Sequence, residues 1–265
     1  MLASPSVIRT ALAHRRVLWS PVLFELSKKY AGSALGWLWI GLHPVLFLSA
    51  YVVVFMVIFK VTLPGMTPLG YVAFVFSGLI PFLSLMEVTT TAVVTIRQNI
   101  HLIKNVILPI DIVPIRIVLA ALLVQGAGLS LLLVILALDG GLGPKLLLLP
   151  VVMVFTALFL AGLAMILAPL GLILPDLAHG IGILMNLLMF VSPIAFKRDQ
   201  VPDLVKFLVD FNPAAYLIEA YRSVLVAGHE PDMHKLTLFV ILSLVLFELG
   251  AQLLTRFKTS IVDYE

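Results

Sequence analysis

Residues 145–168 read "KLLLLPVVMVFTALFLAGLAMILA" and carry one charged residue, Lys145, at the first position. An α-helix rises about 1.5 Å per residue, so about 20 apolar residues are enough to cross the roughly 30 Å hydrocarbon core of a bilayer. The apolar residues follow one another without the alternation that a transmembrane β-strand shows. This stretch therefore predicts a helix that crosses a membrane.

The same pattern recurs along the chain, which has 265 residues, is 62% hydrophobic and 12% charged, and has a mean hydropathy of +1.15. Ordinary soluble domains are about half apolar and a quarter charged. The composition predicts an all-α integral membrane protein, and nucleic acid is not an expected partner. Six transmembrane helices are predicted, over residues 37–59, 71–95, 115–138, 145–168, 180–196 and 236–254. The chain has no cysteine, which excludes thiol nucleophiles and cysteine metal sites.

The distribution of cations predicts the orientation of these helices, because cytoplasmic loops carry an excess of lysine and arginine. With the N-terminus inside, the two short outside loops carry only Lys60 and Lys145. The inside cations are Arg9, Arg15, Arg16, Lys28, Lys29, Arg97, Lys104, Arg116, Arg256 and Lys258. Residues 197–235, also placed outside, carry further cations together with six acids, which makes them the weakest part of this topology. Both termini are predicted to be cytoplasmic.

Two segments outside the predicted spans have helical patterns of their own. Residues 1–36 are predicted to form an interfacial helix, although a loosely ordered cytoplasmic arm is the alternative. The apolar residues that share its stripe are Ile8, Leu12, Trp19, Leu23, Leu26 and Tyr30. Residues 197–235 predict two short extracytoplasmic helices, the second capped by Asn212 and opened by Pro213. Whether these helices re-enter the membrane is left open by their periodicity.

No catalytic motif is recognisable in the sequence. In "HEPDMH", residues 229–234, the histidines are five positions apart instead of four and Pro231 lies between them, which favours a loop over a metalloprotease helix. A G-x-x-x-x-G-K-[ST] phosphate loop does not occur. The chain is therefore predicted not to be an enzyme and to hold no cofactor or metal. Glu87 and Glu248 lie within predicted spans, where a charge is a functional candidate, with an interhelical hydrogen bond as the alternative.

Three motifs occur in an order typical of one transporter family. They are "KKYAGSALGWLWIGLHPVLFLSAYVVVFMVIF" (residues 28–59), "NIHLIKNVILPIDIVPIR" (residues 99–116) and "NPAAYLIEAYRSVLVAG" (residues 212–228). Together they resemble the permease subunit of the ABC-2 type polysaccharide exporters, which move O-antigen, capsule and teichoic acid chains. Pro175 stands where the family usually has arginine before an aspartate, and His43 where it usually has glutamine before a proline.

The resemblance implies a membrane subunit of an ATP-driven exporter of a lipid-linked polysaccharide, most simply an O-antigen-like chain, in the bacterial inner membrane. Residues 37–265 would form the transmembrane domain and residues 1–36 an N-terminal segment. A homodimer would enclose the glycan path and bind two cytoplasmic ATPase subunits, which would hold ATP and Mg²⁺. Export of a teichoic acid, capsule, lipid or drug is the alternative, and a stand-alone channel or a membrane-embedded glycan enzyme are alternatives of other classes.

The resemblance also implies three groups of site residues. Residues 96–114 would form the cytoplasmic coupling segment, with a solvated loop as the alternative, and its ATPase contacts would be Ile100, His101, Ile103 and Lys104. Aromatic faces stack on sugar rings, so Tyr51, Phe55 and Phe59 are expected to line the channel, with packing or lipid contact as the alternative. The extracytoplasmic gate would comprise Asn212, Pro213, Tyr216, Glu219, Tyr221 and Arg222.

Overall fold

The computed structural model describes residues 22–23, 25–27, 32–58, 66–104, 109–226, 228–229 and 231–262. Within these ranges every regular element is a helix. The α-helices are α1 (Trp39–Val52), α2 (Pro68–Gln98), α3 (Ile100–Lys104), α4 (Ile112–Leu138), α5 (Leu149–Ile173), α6 (Leu177–Val191), α7 (Lys206–Asp210), α8 (Pro213–Leu225) and α9 (Met233–Val262). A π-helical segment, Val53–Ile58, continues α1, and 3₁₀ turns occur at Gly36–Leu38, Pro144–Leu148, Arg198–Gln200 and Asp203–Val205. The all-helical prediction is confirmed for the described residues.

Four helices are long and apolar enough to cross a membrane. They are Pro68–Gln98, Ile112–Leu138, Pro144–Ile173 and Met233–Lys258. They correspond to four of the six predicted spans. The other two apolar helices are shorter, at Gly36–Phe47 and Leu177–Val191. The 15 residues of α6 extend only about 22 Å, less than the hydrocarbon core of a bilayer.

The helix ends differ from the predicted bounds for local reasons. The second span was predicted from residue 71, but α2 begins three residues earlier because the Thr67 side chain accepts the Gly70 N–H at 2.9 Å and Pro68 opens the first turn. The fifth span was predicted to reach residue 196, but α6 ends at Val191. Ser192 has extended backbone angles, as a residue before a proline prefers, and the helix stops there.

Polar contacts between helix ends define the two ends of the bundle. At one end, the Thr67 hydroxyl donates to the Asp139 carboxylate at 2.9 Å, which joins the start of α2 to the residue after α4. At the other end, Lys258 near the end of α9 donates to Asp111 before α4, at 2.6 Å. Helix α4 therefore runs opposite to α2 and α9, and α5 runs in the same direction as α2, because Arg97 at the end of α2 contacts Gly171 near the end of α5. We call the end with Asp111 the α3 end, and the end with Thr67 the opposite end.

Helix α5 packs against α2, α4 and α9. Glycines allow its backbone to approach its neighbours closely. A Cβ added at Gly250 of α9 would lie 2.5 Å from the Gly162 carbonyl oxygen of α5. A Cβ added at Gly171 would overlap the Val93 carbonyl of α2. Both crossings require glycine because the nearest atoms belong to the backbone of the other helix, which cannot rotate away as a side chain can.

Part of the N-terminal segment packs on the bundle. Val22 and Leu26 are buried against Ala120 of α4, whereas Leu23 is exposed. Leu23 and Leu26 were predicted to share one lipid-facing stripe, and the structure separates them because a face of this segment contacts α4. The other predicted members of the stripe, Ile8, Leu12, Trp19 and Tyr30, lie outside the described residues.

Candidate functional site

Helix α3 is a short helix between α2 and α4, in the segment predicted to contact an ATPase. Ile100 and Ile103 are half-buried and pack against the main core of the protein. His101 and Leu102 are exposed, and Leu102 has 42% of its surface accessible. The side chain of Lys104 lies outside the described residues. The two isoleucines therefore serve at least partly to hold α3 to its own bundle, while His101 and Leu102 are open to a partner.

Three polar contacts surround the α3 end. Arg97 donates to the Gly171 carbonyl of α5 at 3.2 Å, and Lys258 of α9 donates to Asp111 at 2.6 Å. Arg116 of α4, which is buried, lies 3.5 Å from Glu25 of the N-terminal segment. The segment on either side of α3 is thus tied to α5, α9 and the N-terminal segment. None of these pairings was predicted, because partners so distant in sequence carry no local signal.

A cavity of approximately 640 Å³ lies between α1, α2, α4 and α6. Its volume is within the usual range for small-molecule sites, about 300–1,000 Å³. Along α2 the lining runs from Ile80 to Gln98, which is about 27 Å of helix and extends from the middle of the bundle to the α3 end. The polar lining residues on α2 are Ser84, Glu87, Thr90, Thr91 and Gln98. Gln125, Asn186 and Glu25 complete the polar part of the lining from α4, α6 and the N-terminal segment.

Of the residues that line the cavity, Glu87 was singled out from the sequence and Gln125 was not. Glu87 was predicted to be a functional charge within a span, and the structure places it in the cavity wall, where it is half-buried. Gln125 was not singled out, although it is the only amide side chain in the apolar run of α4. It is buried, and its Nε2 donates to the Tyr221 hydroxyl at 2.5 Å while its Oε1 has no partner. An amide at the centre of an apolar run was the signal that sequence reasoning missed.

Helix α8 carries most of the predicted gate residues, and ten of its 13 residues are buried. It packs against α2, α5 and α9, so it is part of the core and not a surface helix. Arg222 is buried, donates to the Ile194 carbonyl at 2.5 Å and lies 3.6 Å over the ring of Phe74. Gly78 leaves room for this guanidinium, because a Cβ there would lie 3.3 Å from its Nη2. Arg222 thereby joins α8 and the segment after α6 to α2.

Glu219 organises the connection from α8 to α9. Its Oε1 lies 2.7 Å from His229 Nε2 and accepts the Asp232 backbone N–H at 3.2 Å. Burial raises the pKa of Glu219, but the hydrogen bond and charge of His229, the Asp232 N–H and the charge of Lys235 together outweigh it, so its pKa is lowered. The first histidine of the 229–234 motif therefore pairs with a carboxylate, and no group of three potential metal ligands occurs in the described part of the chain.

The start of α8 is held by the two residues predicted to begin it. Asn212 accepts the Ala214 N–H at 2.9 Å as the cap, and its Nδ2 donates to Ser192 Oγ at 2.9 Å. Pro213 occupies the first turn. The Tyr216 hydroxyl donates to the Asp210 carbonyl at 2.6 Å, which joins α8 to α7. The six predicted gate residues are thus brought together in one helix and its cap, with Tyr221 linked to α4.

The predicted aromatic lining, like the predicted ATPase contacts and the predicted gate, stays a prediction. The side chains of Tyr51 and Phe55 and the whole of Phe59 lie outside the described residues. Phe47, one turn before Tyr51 on α1, is described and lines the cavity. The stacking role of the other three aromatic residues stays a prediction.

Comparison with known proteins adds a family match. Residues 22–226 match the family model described as ABC-2 type transporter. An O-antigen export system permease protein, RfbA, of Myxococcus xanthus is 28% identical over 244 residues, which are 91% of this chain and 92% of that protein. RfbA of Klebsiella pneumoniae is 25% identical over 77% of this chain and 78% of its own length. The polysialic acid transport protein KpsM of Escherichia coli is 25% identical over 87% of this chain and 89% of its own length.

Proposed function

Because the chain belongs to the ABC-2 type transporter family, we propose that it is the membrane subunit of an ATP-driven exporter of a lipid-linked polysaccharide. One observation carries this proposal. The O-antigen and polysialic acid export proteins that the chain resembles align with at least 77% of it and at least 78% of their own lengths. The family match over residues 22–226 includes α1 to α8, and not one isolated motif. The proposed substrate is an O-antigen-like glycan, because two of these relatives are O-antigen export proteins.

The proposed membrane topology has six crossings and cytoplasmic termini in the bacterial inner membrane. The four long helices provide four crossings. Helix α1 with its π-helical continuation and α6 with the residues after it would provide the other two. This arrangement places α3 in the cytoplasm and α7 and α8 on the outer side. It is supported by the excess of cations around α3 and in the N-terminal segment.

Energy would come from a separate ATPase, two copies of which would bind a homodimer of this chain. Helix α3 would be the contact that transmits movement, because Arg97 before it bonds to α5 and Asp111 after it bonds to α9. An ATPase that displaces α3 would therefore move several long helices at once. His101 and Leu102 are the exposed residues through which α3 would be contacted.

The glycan would pass through a polar path, since each sugar hydroxyl left unpaired in hydrocarbon costs a few kcal/mol. The proposed path lies between two copies of the chain, with Tyr51, Phe55 and Phe59 on its wall. Helix α8 would control the outer exit. Its cap bonds to Ser192 after α6 and its Arg222 bonds to Ile194, so movement of α6 would displace α8.

Deletion of the gene followed by complementation tests this function. We expect the deletion strain to lose a surface polysaccharide and to accumulate the lipid-linked glycan on the cytoplasmic side. Restoration should require both this chain and an ATPase subunit able to hydrolyse ATP. A deletion strain with normal surface polysaccharide, or restoration by the chain with a hydrolysis-deficient ATPase, would refute the proposal.

A further inference from the structure

Helix α8 belongs to a larger unit at the opposite end of the bundle. We call the described part of residues 192–232, which includes α7 and α8, the outer unit. Polar side chains of α8 and its cap bond within this unit. The pairs are Asn212 with Ser192, Tyr216 with Asp210, Glu219 with His229 and Arg222 with Ile194. Because these bonds join α8 to the segments on both sides of it, the outer unit is expected to move as one body. The inference that follows rests on the proposed function, in which α8 controls the outer exit.

Several contacts hold the outer unit to α2. The Tyr71 hydroxyl donates to the Ala195 carbonyl at 3.2 Å, and the Arg222 guanidinium lies 3.6 Å over the ring of Phe74. Helix α8 also packs against α2 at Gly78, where an added Cβ would lie 3.1 Å from a side chain of α8. Loss of one of these contacts leaves the others in place, so no single residue of α2 is expected to control the position of the outer unit.

Tyr221 is the residue through which α8 reaches α4. In the described structure, α4 is not among the helices against which α8 packs closely. Among the described residues, one hydrogen bond joins the two helices, from Gln125 Nε2 to the Tyr221 hydroxyl at 2.5 Å. The Thr156 hydroxyl of α5 donates its only proton to the Val152 carbonyl, so it accepts from Tyr221, and Tyr221 in turn accepts from Gln125. The outer unit is therefore linked to α4 by a single pair of side chains.

This hydrogen bond opposes displacement of α8 more strongly than a bond at the surface would. Gln125 and Tyr221 are 2% and 0% exposed, so water does not replace either partner while the helices stay packed. A buried group that loses its partner pays the full cost of its desolvation. Small movements of α8 away from α4 are therefore unfavourable until the two helices separate far enough for water to enter.

Gln125 also lies where the cavity meets the outer unit. Along α2, the contacts to the outer unit described above are at residues 71–78, and the cavity lining begins at Ile80. On α4, the cavity lining includes Gln125 itself. A displacement of α4 beside the cavity would therefore act on the outer unit through the bond between Gln125 and Tyr221.

We propose that Gln125 is a positioning residue of the outer exit. Through its hydrogen bond to Tyr221 it holds the outer unit against α4, and this bond breaks when the unit separates from α4. The structure is the state in which the bond is made and ten of the 13 residues of α8 are buried. Because several contacts join the outer unit to α2, it would stay attached to α2 and pivot there.

Cysteine reactivity of the full-length chain in lipid nanodiscs tests the proposal, since the chain has no cysteine of its own. Ser223→Cys reports on α8 and Ser243→Cys on α9, because both serines are buried and donate to a carbonyl of their own helix, at 2.8 and 2.7 Å. We expect Tyr221→Phe to raise the rate at which a hydrophilic thiol reagent modifies the cysteine at position 223 roughly tenfold, the factor that about 1.4 kcal/mol produces. The rate at position 243 should not change.

Further variants separate the role of this bond from a general loss of packing. Gln125→Leu should raise the rate at position 223 as Tyr221→Phe does, and the double variant should react no faster than either, because all three lack the same bond. The double variant also leaves neither partner buried without the other. Tyr71→Phe is the matched control, since it removes a tyrosine hydroxyl that bonds to the outer unit from α2, where other contacts remain. This variant should leave the rate at position 223 unchanged.

The outcomes separate this proposal from the function on which it rests. An unchanged rate at position 223 in the Tyr221, Gln125 and double variants would overturn the proposal. An equal increase in Tyr71→Phe, or at position 243, would also overturn it, because the bundle would then have loosened as a whole. These rates are measured without glycan or ATPase, so the deletion experiment would still report independently whether the chain exports polysaccharide.

Discussion

Gly171 occupies a position at which α5 and α2 approach each other closely. A Cβ at this position would overlap the Val93 carbonyl, and a backbone group can move away only if the helices separate. We expect Gly171→Ala to destabilise the protein by about 1–3 kcal/mol, the usual cost of overpacking a core. Thermal unfolding in detergent measures this effect.

Gly182→Ala is the matched control, because a Cβ at Gly182 of α6 would meet no atom within 4 Å. Alanine also favours a helix by about 1 kcal/mol over glycine, so this variant should be neutral or slightly stabilised. Equal unfolding temperatures for Gly171→Ala and the unmodified protein would show that the close contact between α5 and α2 does not constrain the fold.

Glu219 is expected to make the stability of the folded protein depend on pH. Its pKa is lowered in the folded protein relative to the ordinary value of 4.5, so its contribution to stability is present at neutral pH and is lost as the pH falls through the folded pKa, below 4.5. We expect Glu219→Gln to lower the unfolding temperature at pH 7. The further loss on acidification below pH 4.5 should be smaller in this variant than in the unmodified protein.

Asp203→Asn provides the comparison for this pH effect. Asp203 pairs with Lys206 at 2.5 Å, but its side chain is 94% exposed, and exposed ion pairs contribute little to stability. Its removal should leave the pH profile of unfolding nearly unchanged. Identical profiles for Glu219→Gln and the unmodified protein would argue against Glu219 as the residue that stabilises the connection from α8 to α9.

At the scale of elements, helix α3 has some residues that hold it to the bundle and others that a partner can reach. Ile103 packs partly on the core, so Ile103→Asp is expected to disturb the permease itself as well as any partner contact. Leu102 is exposed, and Leu102→Asp should instead weaken association with the ATPase while leaving permease unfolding unchanged. Co-purification of the ATPase at equal membrane levels of permease measures the difference.

Leu174→Asp is the control for α3, because Leu174 is 55% exposed at the same end of the bundle but follows α5. This variant should retain the ATPase. If Leu102→Asp retained the ATPase as well as Leu174→Asp does, the exposed face of α3 would not be the contact surface.

At the scale of the whole molecule, the proposed topology can be read with single cysteines, since the chain has none of its own. Cysteines at Thr67, Gly141 and Gln200 should react with an impermeant thiol reagent from outside, because the first two lie at the opposite end and the third lies between α6 and α7. A cysteine at Asn99, between α2 and α3, should not react. External labelling of Asn99 would reverse the orientation and remove α3 from the cytoplasmic ATPase.

The amino-acid sequence determined the class of fold and the family. A long, continuously apolar run in a membrane satisfies its backbone hydrogen bonds as a helix, so the four long helices were predictable from local pattern. The start of α8 was predictable from Asn212 and Pro213. The motifs at residues 28–59, 99–116 and 212–228 resemble those of the ABC-2 type polysaccharide exporters, and the match to the ABC-2 type transporter family agrees. These signals are readable because each depends on residues that are close together along the chain.

Only the tertiary structure decided which distant residues meet. It showed that Ile100 and Ile103 pack partly on their own bundle, that α6 ends at Val191, and that Gln125 bonds to Tyr221 across 96 positions of sequence. It also placed Glu87 in a cavity wall. Helical periodicity specifies the helix face on which each residue lies. Because this chain is apolar on nearly every helix face, periodicity does not specify which helix packs against that face. The packing partner is set by close contacts at glycines and by the pairing of a few buried polar groups.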